Sequence, residues 1–254
     1  MLTRVVLYVV SPAIVPSITV YIKFKSLLFD AGRTGRTFFM TPRFSILIDG
    51  GFFSKYFRHE NKRYPGADDV ETIVFRLIEN CPEVSEKELL RAFYYDASPI
   101  LKKIKNPVTG TELNLGTTPL ARETLRLHQA LARKANFALR LGELKVFNWT
   151  ATLDSKTHKL IPGTKTIETK LDDWKPAINQ KGVDLRIGLD VAGMAFRKTV
   201  ETIILFSGDT DLIPAMKLAR KEGLRVITVI PDKGNLASSL IEHSDASVKI
   251  SLKI

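Results

Sequence analysis

The chain has 254 residues, 44% of them apolar, with a formal charge of +11 and a pI near 9.7. That length can bury a substantial core, enough for one large α/β domain with an extension or at most two small domains. A single cysteine, Cys81, excludes an intrachain disulfide and any Cys-rich zinc site, and the excess of cations points to a polyanionic partner, most simply nucleic acid. With four scattered histidines and no HExxH or CxxC spacing, any metal here is a hard cation held by oxygen.

Residues 1–39 are rich in Val, Ile, Leu and Tyr, but Pro12, Pro16, Lys23 and Lys25 interrupt them. No apolar run reaches the ~20 residues that a membrane-spanning helix needs. These residues read as an N-terminal extension or upstream mis-start, with Met40 the natural start and a weak membrane anchor the other reading. Residues 40–254 then form one domain, with a basic insertion at about 100–180.

Phe44 to Ile48 is the first apolar, strand-like run, and it ends in Asp49 followed by a Gly50-Gly51 turn. Phe52 to Arg58 opens a helix, and Asp68 to Asn80 is a stronger one, with Val70, Ile73, Val74, Leu77 and Ile78 at helical spacing. Ser85 and Glu88 have capping-box spacing for a short helix. Leu90 to Tyr95 is a second strand, ending at Asp96. Asn106 to Pro119 is a loop. A long helix is expected from Leu120 to about Leu139, with Leu120, Leu127, Ala130, Leu131 and Ala138 on one face. Its basic residues Arg122, Arg126, Arg133 and Lys134 are candidates for nucleic-acid contact, together with Lys181. Between residues 101 and 180 there are 14 Lys and Arg against 7 Asp and Glu, so this third of the chain carries most of the net charge.

Leu144 to Ala151 is strand-like, and Leu153 to Pro176 is polar and lysine-rich, an exposed hairpin or loop. Lys181-Gly182-Val183-Asp184 opens a helix to about Arg197, where Asp184 is placed either as the N-cap or as a site acid. Asp190 lies about 120° further round that helix, hence a secondary candidate. Thr202 to Phe206 is an apolar run that stops in Ser207-Gly208 and then presents Asp209 and Asp211, before a helix from Leu212 to Glu222. Arg225 to Ile230, a short helix over Asn235 to His243 and a strand over Ala246 to Leu252 complete the chain. Alternating strands and helices with right-handed crossovers make a three-layer α/β/α fold with a mainly parallel central sheet. In such a sheet ligands bind outside the carboxyl ends of the strands, which is where Asp49 and Asp209 emerge.

The DGG after the first strand, KGVD before a helix, SGDTDLIPAMKLARKEGLRVITV and LASSLIEHSDASVKI together resemble the NYN (LabA-like, formerly DUF88) domains of the PIN-like nuclease superfamily, over about residues 42–254. The resemblance implies a PIN-like, Rossmann-like fold, cleavage of RNA, and binding of Mg²⁺ or Mn²⁺ by aspartates that match Asp49, Asp184, Asp209 and Asp211. The chain departs from the family pattern in having Gly51 and Phe52 where many relatives carry Asn. The additional helix acid common in PIN-type enzymes has three candidates, Asp68, Asp69 and Glu71. Ser207 can bond a phosphate or a metal-bound water, or else the local backbone of its turn.

The expected activity is therefore a metal-dependent ribonuclease of the cytoplasm, with RNA or other single-stranded nucleic acid as partner and homo-oligomerisation left open. The competing expectation is a non-catalytic RNA-binding or regulatory module on the same scaffold. A phosphotransfer enzyme is disfavoured by the lack of DxDGT and GxxxxGK motifs. Asp96 and Asp232, which also follow strands, are read as turn residues, with a place at the rim of the site as the other reading.

Overall fold

The two apolar runs that end in aspartate are neighbours in one sheet. β1 (Arg43–Asp49) pairs in parallel with β7 (Thr202–Phe206), with Ile48 opposite Phe206, so both aspartate-bearing loops leave the same edge. Every residue of β7 is buried and β1 is buried over its middle five, as expected for central strands covered on both faces. The computed structural model describes residues 41–107, 110–151 and 174–254. The expectations for residues 1–39 and for most of Leu153 to Pro176 lie outside these residues.

The sheet has seven strands in the order β6-β5-β2-β1-β7-β8-β9. On one side of β1 lie β2 (Glu88–Ser98) and β5 (Phe137–Ala151), both parallel to it, and then β6 (Trp174–Lys181), which runs antiparallel at the edge. On the other side, β7 is followed by β8 (Arg225–Pro231) and β9 (Ala246–Ile250), all parallel. The chain thus reverses its direction of winding between β1 and β7. A crevice outside the carboxyl ends of the strands opens at such a switch point.

Alternation along the strands sends one set of side chains to each face. Phe44, Ile46 and Ile48 meet α1 (Gly50–Asn61), α2 (Ala67–Glu79) and α3 (Pro119–Leu131). Leu47 joins Ile203 and Leu205 under α4 (Val183–Arg197), α5 (Ile213–Lys221) and α6 (Ser238–Glu242). The three-layer α/β/α reading holds.

Several local expectations do not hold. Gly50-Gly51 is the first turn of α1 rather than a free turn, and a Cβ on Gly50 would strike the Tyr94 ring at 2.6 Å. Ser85 caps no helix: its hydroxyl donates to the Pro82 carbonyl, and Glu88 begins β2. The loop at 106–119 contains the second half of a small hairpin, β3 (Lys103–Lys105) with β4 (Glu112–Asn114). α3 ends eight residues before the expected Leu139, capped by Ala132, and Asn136 in a left-handed conformation (φ 63°) then turns the chain into β5. Its buried side is Ala121, Leu127, His128 and Leu131, while Leu120 and Ala130 are exposed. The stretch read as a basic insertion is not set apart, since α3 supplies core residues and β5 lies inside the sheet. Among the described residues no helix is long and apolar enough to cross a membrane.

Candidate functional site

Asp49 is the last residue of β1 and the N-cap of α1. Its Oδ1 accepts a hydrogen bond from the Phe52 N–H at 3.1 Å, and its Oδ2 accepts one from the Ser207 hydroxyl at 3.0 Å. The β1–β7 register explains the second bond, because Asp49 and Ser207 are the residues immediately beyond the Ile48–Phe206 pair. Burial pushes the Asp49 carboxyl above the usual range, while the bonds from Phe52, Ser207 and the Gly51 N–H pull it back and the charge of Asp96 adds to the rise.

Ser207 is 1% exposed, and its oxygen also accepts the Asp209 N–H at 3.2 Å. Of its two expected roles, the local backbone bond is present. The hydroxyl hydrogen is committed to Asp49, so the side chain ties the two loops together rather than reaching into solvent. Gly208 follows without a side chain because a Cβ there would run into the Phe52 ring, which packs against Phe206. Asp209 caps the short 3-10 turn Thr210–Leu212, its Oδ1 accepting the Asp211 N–H at 2.9 Å, and Asp211 points out exposed.

Asp184 reaches this edge from α4. It is not the N-cap: Gly182 is, in a left-handed conformation (φ 76°), and Asp184 lies in the first helical turn. The chain crosses closely over β5 there, and Gly142 leaves room for the Lys181 carbonyl and the Val183 side chain. Asp184 makes no hydrogen bond or ion pair with another described residue. Its carboxyl is raised first by burial and then by the charges of Asp209, Asp49 and Asp211, in that order. The four aspartates singled out by sequence therefore share one electrostatic neighbourhood at the switch point.

Asp190 does not join them. Its Oδ2 accepts the Tyr95 hydroxyl at 2.9 Å and the Arg140 Nε–H at 3.1 Å. The helix acids are also engaged elsewhere: Asp69 with Arg63 and the Gly66 N–H, and Asp68 and Glu71 with Lys134. Of the cations expected to touch nucleic acid, Lys134 is thus held by two carboxylates, Arg126 by Glu123, and Lys181 lies over the Phe147 ring, whereas Arg122 and Arg133 are exposed.

Sequence reasoning missed one pair. Asp96 is a strand residue, not a turn, and its Oδ2 meets the Nε2 of buried His128 at 2.9 Å. The register places Asp49 beside Tyr95, so Asp96 stands one residue further along the same edge. The signal was present in the 127, 128, 131 spacing of the buried face of α3, which puts the histidine inward. Asp232 is a turn residue as expected, its N–H donating to the Ile250 carbonyl.

The donors converging at the edge are all carboxylate oxygens, the chemistry of a hard divalent cation. The like-charge push on Asp184 is what such an ion relieves. Among the described residues, however, no three His, Cys, Asp or Glu side chains already stand close enough to hold an ion between them. All-oxygen donors set this far apart suit a hard divalent cation only if it keeps part of its water.

A relative from Methanocaldococcus jannaschii, described as an uncharacterized protein, is 28% identical over 87 residues, 34% of this chain and 36% of the relative. This chain thus spans about a third of that protein's length. A crystal structure of a protein of unknown function from Vibrio parahaemolyticus superposes with a TM-score of 0.44 at 17% identity, over 83% of this chain and 94% of the other. The NYN domain family pattern matches residues 71–251, a narrower span than the resemblance implied, containing Asp184, Asp209 and Asp211 but beginning after β1 and Asp49. That match covers more than half of the chain, which therefore belongs to the NYN domain family of the PIN-like nuclease superfamily.

Proposed function

We propose that the chain is a divalent-metal-dependent ribonuclease whose site is built from Asp49, Asp184, Asp209 and Asp211. The observation that carries this reading is the β1–β7 pairing, which brings Asp49 and the Ser207–Asp209 loop to one sheet edge, near enough to Asp184 for the charges of Asp209, Asp49 and Asp211 to push its carboxyl up. Asp49 and Asp209 would hold Mg²⁺ or Mn²⁺, with Asp184 and Asp211 bound directly or through water. When bound, the ion supplies an activated water and stabilises the leaving oxygen of a phosphodiester.

The protein's own part is positional. Ser207 fixes the Asp49 carboxylate, and the Asp211 N–H fixes that of Asp209. A Cβ on Gly51 would stand 3.4 Å from Asp49 Oδ1, so glycine there leaves that oxygen uncrowded. Asp184, free to turn, can accept a proton from the attacking water or orient it. Within the family, the KGVD and SGDTDLIP runs support the LabA-like branch, and we place the protein in the cytoplasm.

The test is cleavage of labelled single-stranded and structured RNA with Mn²⁺ and with EDTA, using wild type and Asp209→Asn. Cutting with Mn²⁺ that is lost in EDTA and in the variant is expected. Equal cutting by the variant, with contaminating nuclease excluded, would end the reading. The second reading, an RNA-binding module without catalysis, is favoured by the lack of a ready three-acid ion site among the described residues. Calorimetric titration with Mn²⁺ separates the two, since the module binds the ion poorly.

A further inference from the structure

From the geometry we infer that single-stranded RNA is gripped by a groove between α1 and α3, and not by the basic outer face of α3. This rests on the nuclease reading only for the direction in which the strand leads. The groove has a volume of about 730 Å³ and begins at Gly50 and Gly51, beside Asp49. Lys55, Arg58, His59 and Lys62 line one wall, and Lys233, from the turn after β8, joins them. Lys55, Arg58 and His59 recur at i, i+3 and i+4 on α1 and so form one stripe, with Gly51 one turn ahead of Lys55, and Lys62, the left-handed C-cap, extends the lining past the helix end. At 1.5 Å per residue the lining runs about 16 Å from Gly51 to Lys62, enough for a few extended nucleotides.

Charge decides what fits. None of Lys55, Arg58, Lys62 and Lys233 forms an ion pair with another described residue, whereas Arg126 and Lys134 of the α3 region are each neutralised. Of the two acids in the groove wall, Glu123 is paired with Arg126, and Asp96 is hydrogen-bonded to His128 of α3 while its charge acts on Asp49. Cations at the end of a helix also suit its carbonyls, which accounts for Arg58 and His59. It does not account for Lys55 in mid-helix or for Lys233 on another element.

The groove also carries flat surfaces. The Arg58 guanidinium lies 4.4 Å from the centre of the Tyr64 ring, and Lys55 lies 5.5 Å from that of Tyr56. Cations that follow a backbone, interleaved with rings on which bases stack, are the pattern of single-strand binding without sequence preference. A duplex, whose bases are already stacked, has no use for the rings.

The experiment compares full-length wild type, the combined Lys55→Ala/Arg58→Ala/Lys62→Ala variant, Arg122→Ala/Arg133→Ala, and Tyr64→Leu. Binding of a fluorescent oligouridylate is measured in EDTA across a salt series, with folding followed by circular dichroism. The groove variant should bind about tenfold or more weakly, and its salt slope should fall by about 2, three charges at ~0.7 each. Tyr64→Leu should lose about fivefold or more and keep that loss at high salt, and the α3 variant should change less than about threefold.

Wild-type affinity in the groove variant, a larger loss in the α3 variant, tighter binding of duplex RNA, equal competition by polyglutamate, or no RNA binding at all would each overturn the assignment. Because binding is read without cleavage, groove-dependent binding by a chain that cuts nothing with Mn²⁺ upholds the groove and ends the nuclease reading. Cutting by a wild type whose groove variant binds normally does the reverse.

Discussion

Asp49 ends β1 with both carboxylate oxygens occupied, by the Phe52 N–H and the Ser207 hydroxyl, whereas neither oxygen of Asp184, on the first turn of α4, has a hydrogen-bond donor among the described residues. Both carboxyls are raised. For Asp49 the main cause is burial, partly offset by three hydrogen bonds. For Asp184, burial is reinforced by three like charges, against the mild pull of a helix N-terminus. One acid is part of the framework and the other is held under repulsion by it. The difference separates an acid that also ties the edge together from one that takes no part in holding it.

The largest effect should come from Asp209, which serves the repulsive side of this comparison. Asp209→Asn is expected to lower RNA cleavage by about 10²–10³ while leaving oligouridylate affinity within twofold, by the scale of losing one preorganised electrostatic group. Retention of most activity would break the comparison at its functional end.

Asp49→Ala should be costly in a different currency. It removes a helix cap and leaves the buried Ser207 hydroxyl and Phe52 N–H unpaired, an expected loss of about 1–3 kcal/mol in urea unfolding. Asp184→Ala, with no hydrogen bond to lose, should be neutral or stabilising in the same measurement. Equal losses at both positions would erase the distinction drawn here.

The pH dependence sharpens the comparison further. A carboxyl raised on folding binds its proton more tightly in the native state, so stability falls as pH climbs from the unfolded value of about 3.9 through the native one. Asp184→Asn cannot ionise and escapes that loss. Its melting temperature should exceed that of wild type at neutral pH and coincide with it below about pH 4, by a modest amount because the side chain is largely solvent-screened. Mg²⁺ should produce the same gain in wild type, by binding the folded form, and a smaller one in Asp184→Asn. No dependence on Mg²⁺ in either chain would favour the binding-module reading.

The smallest expected effect lies in the approach to Asp184. Gly182→Ala forces a side chain into a left-handed backbone (φ 76°) and toward the Arg186 guanidinium, a cost of about 1–2 kcal/mol. Cleavage should fall with it if the position of Asp184 matters, and thermal unfolding alongside a rate assay reads both.

Much of this was visible in the chain. The runs before Asp49 and Asp209 are short, β-branched and apolar, so they read as buried strands, and α2 has a clean helical period. The misreadings have local causes. The apolar period of α3 continues past Leu131 into residues that belong to β5, across a turn that closes in the left-handed Asn136. β6 is polar, mostly exposed and contains Pro176, so it carries no strand signal, yet an edge strand tolerates all three. The basic stripe of α1 was legible at i, i+3 and i+4, but the greater charge of the middle third drew attention to α3 instead.

By itself the sequence determined the alternation of strands and helices, the aspartates at two strand ends, and the glycines beside them, because these follow from side-chain period and backbone conformation within a few residues. The tertiary structure decided that Asp184 joins Asp49 and Asp209 while Asp190 turns to Tyr95 and Arg140, that Ser207 serves Asp49, and that Lys55, Arg58, Lys62 and Lys233 line one groove. Those outcomes depend on strand order and on which helix crosses which edge, and such choices are made by the packing of the whole core, not by any stretch of chain read alone.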